Sequence, residues 1–159
     1  MPADGSRQSK ADKKNDVAAG LSKLLADSYA AYLKTHGYHW NVRGPNFSGL
    51  HALFMTQYTE EWAALDVIAE RIRALGELAP QGYGAFGNLS SIRDGDPTQD
   101  WKGMVADLIA ANEAVAKTAA GLIEAAESAG DAPTADLATQ RQAAHEKNAW
   151  MLRALGDDG

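Results

Sequence analysis

The sequence predicts an all-α fold: a four-helix bundle with one long crossover between its second and third helices. Three observations carry this. Apolar residues recur at three- and four-residue steps along most of the chain, no stretch alternates with a period of two, and the segment from Glu77 to Gly95 is rich in Gly, Pro and Ser. The chain has 159 residues, 45% hydrophobic and 23% charged, which suits one domain with a packed core.

The elements follow in order. Residues 1–16 are polar and have no apolar period, which predicts a flexible N-terminal tail and leaves 17–159 for the bundle. Val17, Leu21, Leu24, Leu25, Tyr29, Tyr32, Leu33, His36 and Trp40 mark the first helix, and Arg43-Gly44-Pro45 ends it, because glycine favours a helix exit and proline cannot continue one. Asn46 is the expected N-cap of the second helix, Phe47 to Leu75, which Gly76 closes. At ~1.5 Å per residue that helix is roughly 40 Å long. The crossover is expected to carry a short helix around Leu89 to Arg93, and its length suits second and third helices that run parallel. Asp96-Pro97-Thr98 reads as the start of the third helix, which Trp101, Val105, Leu108, Ile109, Val115, Leu122 and Ile123 carry to Gly130. Asp131-Ala132-Pro133-Thr134 then turns the chain into a fourth helix that runs to about Leu155.

Composition excludes several chemistries. Without cysteine there are no disulfides, thiol nucleophiles or thiolate metal sites. No apolar run approaches the ~20 residues that span a bilayer, and the start MPADGSRQSKADKKND has no apolar core of a secretory signal, so a cytoplasmic protein without a membrane partner is expected. A net charge of −6 disfavours general nucleic-acid binding and attracts cations. No Glu-x-x-His occurs, which excludes the usual carboxylate di-iron pattern inside a bundle.

The stretch HWNVRGPNFSGLH places His39 and His51 on either side of a short turn. On the second helix at ~100° per residue, His51, Trp62, Met55, Asp66 and Glu70 fall within about 100° of arc. Asp66 and Glu70 are one turn apart and can converge on one cation. Imidazole with carboxylate suits iron, manganese or zinc. Yet His51 and Asp66 lie about 22 Å apart along the axis, far beyond metal-ligand bonds of ~2.0–2.2 Å. They can share a metal only with a second copy of the helix laid antiparallel across a two-fold axis, where contacts are reciprocal. A plainer reading stays open: the histidines cap or fill the core, and Asp66 and Glu70 pair with Arg71 or Arg73 on a solvated face.

The stretch Thr35 to Gly76 resembles the Dps family, the miniature ferritins that protect DNA in starved bacterial cells. The resemblance rests on H-W-x-x-x-G-x-x-F-x-x-x-H followed by D-x-x-x-E-R, here His39, Trp40, Gly44, Phe47, His51, Asp66, Glu70 and Arg71, and on HEKNAWMLRAL near the end. It implies a ferritin-like bundle assembled as a hollow dodecamer. It also implies iron as the bound metal: Fe(II) oxidised, with hydrogen peroxide preferred, at ferroxidase sites between two-fold-related subunits, and Fe(III) stored inside. His39 and His51 would be ligands from one subunit, Asp66 and Glu70 from the other, with Trp40 beside them either as a trap for stray oxidising equivalents or as a core anchor. The chain departs from the family at Met55, where a carboxylate is usual. A thioether is a poor Fe(II) ligand, and Glu60 and Glu61 point elsewhere, so one firm metal position and one weaker one are expected. Asp131 and Asp136 are candidates for a negatively charged pore, or for helix caps. Arg7, Lys10, Lys13 and Lys14 are candidates for a DNA-binding tail, with weak binding expected and nucleoid association if it occurs. The alternative to an iron-oxidising shell is a DNA-compacting or structural shell with a weakened iron centre.

Overall fold

Apolar side chains at helical spacing wind this chain into four long helices and one short one. The computed structural model describes residues 7–156. The helices are α1 (Lys10–Asn41), α2 (Phe47–Ala74), α3 (Tyr83–Leu89), α4 (Trp101–Ser128) and α5 (Ala132–Ala154). Short corners join α1 to α2 and α4 to α5, and α1 packs on both α2 and α4. No strand occurs among the described residues, and no helix there is long and apolar enough to cross a membrane.

The helix starts show where side chains overrode the expected boundaries. α1 begins at Lys10 rather than near Val17, because Ser9 and Asp12 form a capping box: the Ser9 hydroxyl accepts from the Asp12 amide and the Asp12 carboxylate accepts from the Ser9 amide. Lys10, Lys13 and Lys14 therefore lie on a helix, and only residues 1–6 of the expected tail fall outside the described residues. α4 begins at Trp101, not at Asp96. Asp100 caps it by accepting from the Gly103 amide at 2.8 Å, while Asp96 makes a separate turn by accepting from the Thr98 amide at 2.9 Å. The short crossover helix ends at Leu89, where it was expected to start. Ser90 and Ser91, needed to continue it, donate instead to Asp27.

Asp27 is fully buried on α1. It accepts from the Ser91 amide at 2.7 Å, the Thr118 hydroxyl at 2.6 Å and Lys23 at 2.9 Å, and so ties the crossover to α1 and α4. Tyr38 holds the far end of the crossover: its hydroxyl donates to Asp107 and accepts from the Asp96 amide at 3.1 Å. Only glycine fits at Gly95, since an added Cβ would lie 2.7 Å from the Tyr38 hydroxyl.

The core has two apolar halves. One gathers Leu21, Leu24, Leu65, Ile68, Ile72, Val115, Ala119 and Leu122; the other gathers Tyr38, Leu50, Phe54, Met104, Leu108 and Leu152. Between them α2, α4 and α5 each carry buried polar residues: Gln57 and Glu61, Asn112, and Arg141 and His145. The bundle is thus apolar at both ends and polar across its middle.

Burial alone would raise the Asp27 carboxyl, but the bonds from Thr118, Lys23 and Ser91 outweigh it and hold the group below its ordinary value of 3.8. A lowered folded value means the stabilisation is present above that range and is lost as pH falls below it. Asp27→Ala is expected to lower unfolding stability by roughly 3 kcal/mol near neutral pH. Melting curves of the two proteins at about pH 7 and about pH 3 should show the gap between them narrowing in acid.

Candidate metal centre

The corner between α1 and α2 is closed by two histidines that hold each other's backbone. His39 Nδ1 lies 2.7 Å from the His51 carbonyl oxygen, and His51 Nδ1 lies 2.7 Å from the His39 carbonyl oxygen. A carbonyl only accepts, so each Nδ1 carries a proton and donates it, and in the neutral tautomer the lone pair is then at Nε2. The rings stack with centroids 3.7 Å apart, and Phe47 stacks against His51 at 5.0 Å. Metal-ligating imidazoles are held in this way, with one nitrogen bonded to a carbonyl and the other free. His39 is buried and His51 half-buried, so the pair is fixed in orientation without being sealed off.

Asp66 and Glu70 lie toward the other end of α2, exposed. Among the described residues no ion pair involves either of them. The solvated-face explanation therefore loses its partners. Arg71 turns away to Asp131 at 2.8 Å and to the Thr134 hydroxyl at 2.9 Å, and Arg73 donates to the Glu77 carbonyl. Among the described residues no group of three or more His, Asp or Glu of one chain could hold a metal ion. The chain places the two candidate groups toward opposite ends of α2 and does not bring them together.

Met55 and Trp62 are exposed on α2, 52% and 59%. Trp40 is 64% exposed, so within one chain it anchors no core. It lies instead against His36, with ring centroids 4.1 Å apart. His36 also contacts Tyr58 at 4.4 Å and sits 6.4 Å from His39. Burial, with His39 beside it, holds the His36 imidazole below its ordinary value. His36 and Tyr58 were not among the expected site residues. The signal for His36 was available, since it precedes His39 by one helical turn and so shares its face.

The remaining candidates divide. Asp131 caps α5 by accepting from the Thr134 amide and also receives Arg71, so its carboxylate serves the helix start. Burial raises the Asp131 carboxyl, yet the Thr134 bonds and Arg71 hold it below its ordinary value. Asp136 is exposed and bonded only to Gln140 on its own helix. Lys13 donates to the Ser128 carbonyl at the end of α4, whereas Arg7, Lys10 and Lys14 are exposed. A cavity of about 680 Å³ between α1 and the crossover, walled by Tyr29, Leu33, Tyr83 and Phe86, contains none of the candidate ligands.

Comparison with known proteins places this geometry. A ferritin-like domain model matches residues 18–158. DNA protection during starvation protein 2 of Bacillus anthracis is 35% identical over 135 residues, 85% of this chain and 92% of that protein. An uncharacterized low temperature-induced protein of Nostoc is 34% identical over 147 residues, 91% of this chain and 82% of that one. Among solved structures, Dps from Thermosynechococcus elongatus superposes with a TM-score of 0.91 at 29% identity, covering 94% of this chain and 96% of that one. A Dps protein from Vibrio cholerae, described as a member of a broad superfamily of ferritin-like diiron-carboxylate proteins, superposes with a TM-score of 0.88 at 27% identity, covering 99% and 98%.

The exposed carboxylates and the half-buried pair of Arg71 with Asp131 can be told apart by stability. Asp66→Ala and Glu70→Ala should leave the melting temperature of metal-free protein nearly unchanged, within about 0.5 kcal/mol, whereas Arg71→Ala should cost about 1–3 kcal/mol by stranding Asp131. A large loss in either carboxylate variant would make that residue a structural one.

Proposed function

The chain belongs to the Dps family of ferritin-like proteins, and from that premise we propose that it takes up ferrous iron, oxidises it at centres shared by two-fold-related copies, and keeps the ferric product inside a shell of twelve. The observation that carries the reading is the split along α2: two imidazoles with free Nε2 lone pairs at one end, two unpaired carboxylates at the other. A second α2 laid antiparallel brings the imidazole end of each copy to the carboxylate end of the other, and the donor set formed suits iron.

In this proposal each centre holds His39 and His51 of one copy with Asp66 and Glu70 of the other. Two Fe(II) give up one electron each, and hydrogen peroxide takes both electrons with two protons to become two waters. Consuming peroxide and iron together removes the ingredients of hydroxyl radical, and DNA protection follows from that without DNA being bound. Family resemblance supports peroxide as the preferred oxidant. Met55 leaves one metal position without its usual carboxylate, so Met55→Asp is expected to tighten iron binding and speed oxidation, measured as ferrous iron consumed per chain under limiting peroxide. An unchanged rate would remove Met55 as the weak point.

A DNA-compacting shell is the second reading. Arg7, Lys10 and Lys14 are exposed and could meet phosphates, but Lys13 is engaged and the chain is acidic, so DNA binding is proposed to be weak and to fade steeply with salt. Gel retardation that persists at physiological salt would favour this reading over the first.

The shared centre has a direct test in mixed shells. His51→Ala and the double variant Asp66→Ala, Glu70→Ala should each oxidise iron poorly while forming shells of about twelve times the 16.9 kDa chain mass in light scattering. In a mixed two-fold pair, one centre collects both defects and the other is intact. Co-assembly should therefore restore part of the activity. No rescue at any mixing ratio, with shells of normal size, would exclude a centre built from two copies.

A further inference from the structure

The polar middle of the bundle has the ligand chemistry of a metal site, but an arginine stands where the metal would be. Arg141 of α5 is buried, 7% exposed, between α2 and α5. Its Nη2 lies 3.1 Å from Glu60 Oε2, 3.1 Å from Glu61 Oε2 and 3.2 Å from His145 Nε2, and its Nη1 donates to Glu60 Oε1. Two carboxylates and an imidazole thus surround one cationic nitrogen, and the imidazole Nε2 also lies 3.0 Å from Glu61 Oε2. His145 is 1% exposed, and its Nδ1 is occupied by Asn112 Oδ1 at 2.8 Å, which turns Nε2 inward. The Asn112 oxygen must be the acceptor, because its Nδ2 donates to the Leu108 carbonyl at 2.8 Å. His145 is therefore oriented as a ligand is oriented, by a hydrogen bond on the other ring nitrogen.

Donor capacity is also left over. Among the described residues, Glu61, 3% exposed, has no hydrogen-bond partner at Oε1, and Gln57, 5% exposed and one turn before Glu61, has none at either amide atom. Buried polar atoms are ordinarily satisfied. The guanidinium is planar and always charged; its two Nη groups go to Glu60, Glu61 and His145, and its own buried Nε has no partner among the described residues. Facing helices of a bundle that carry glutamates and histidines are where carboxylate bundles hold metals. Here the charge of the two carboxylates is met by a side chain instead.

We propose that Arg141 is a specificity-determining residue: its guanidinium is a resident cation that keeps divalent metal out of the bundle interior and leaves metal handling to the half-sites on the surface. The physical reason is direct. A divalent ion entering the cluster would meet a fixed positive charge at the point where the ligands converge, and it could bind only by displacing Arg141 from its bidentate pair with the exposed Glu60 and from its buried contact with Glu61, the second of which is costly to break. The inference concerns which part of the chain is closed to metal. It rests on the proposed iron function only for the identity of the ion excluded in the cell.

Cobalt(II) tests it without iron chemistry. The background is Asp66→Ala, Glu70→Ala, so that the surface half-sites contribute little, and uptake is read by equilibrium dialysis and by visible absorption. Adding Arg141→Ala should create one further cobalt per chain with a new absorption band. Adding Arg141→Lys, which keeps a cation in place, should create none. Removing His145 as well, in Arg141→Ala with His145→Ala, should weaken the new site at least about tenfold. If Arg141→Ala does not fold in chelator, cobalt should restore its helical circular dichroism, since the ion then supplies the missing charge. The proposal is overturned by a folded Arg141→Ala that takes up no more cobalt than its parent, by an unfolded one that cobalt does not rescue, or by an Arg141→Lys that gains the site. These outcomes do not depend on whether the mixed-shell experiment finds a shared iron centre.

Discussion

The length of α2 is the constraint from which the candidate centre follows. Its 28 residues extend about 42 Å, with the stacked histidines near one end and the free carboxylates toward the other. A helix cannot fold back on itself, so one chain cannot close a metal site from these groups. In the proposed assembly the constraint becomes the mechanism of construction. The same rigidity that separates the half-sites sets their spacing, and a two-fold axis near the middle of α2 pairs each with its complement.

Such a helix needs firm mounting, and the structure supplies it at three levels. At its start, the mutual bonds of His39 and His51 join the corner and orient both rings in one stroke. At its end, Arg71 leaves its neighbour Glu70 and clamps α2 to the start of α5 through Asp131 and Thr134. In the middle, Arg141 reaches Glu60 and Glu61. Burial disfavours the Glu61 carboxylate, but His145 and Arg141 outweigh it and hold the group ionised. The arginine next to the carboxylates is the most consequential case: a residue that could have neutralised Glu70 is directed into the bundle.

The crossover obeys the same logic. Asp27 collects donors from α1, the crossover and α4, which decides both where α3 stops and how α2 is led across to α4. A buried carboxylate so fully bonded specifies one path for a connection that has no fully buried side chain of its own. The two apolar halves of the core then pack on either side of a polar layer, and that layer sets the register of α2 against α5.

Much of this was legible in the order of residues. Apolar spacing determined four helices, because a period near 3.6 permits burial of one face only in a helix. Glycine and proline marked both short corners, and the motif from His39 to Glu70 named the candidate ligands. Spacing alone also showed that one chain could not unite them. Other features waited for tertiary structure, because they depend on which distant side chain competes for a group. Ser90 and Ser91 could have extended a helix until Asp27 took their donors. Asp96 could have capped α4 until Asp100 did. Arg71 could have paired with Glu70, and Asp131 could have been free, until the two met across the bundle. Arg141 and His145 lie on a helix of weak apolar pattern. Only the fold shows them buried against Glu60 and Glu61, because pairing a charge inside a core depends on contacts eighty residues apart, which no local period records.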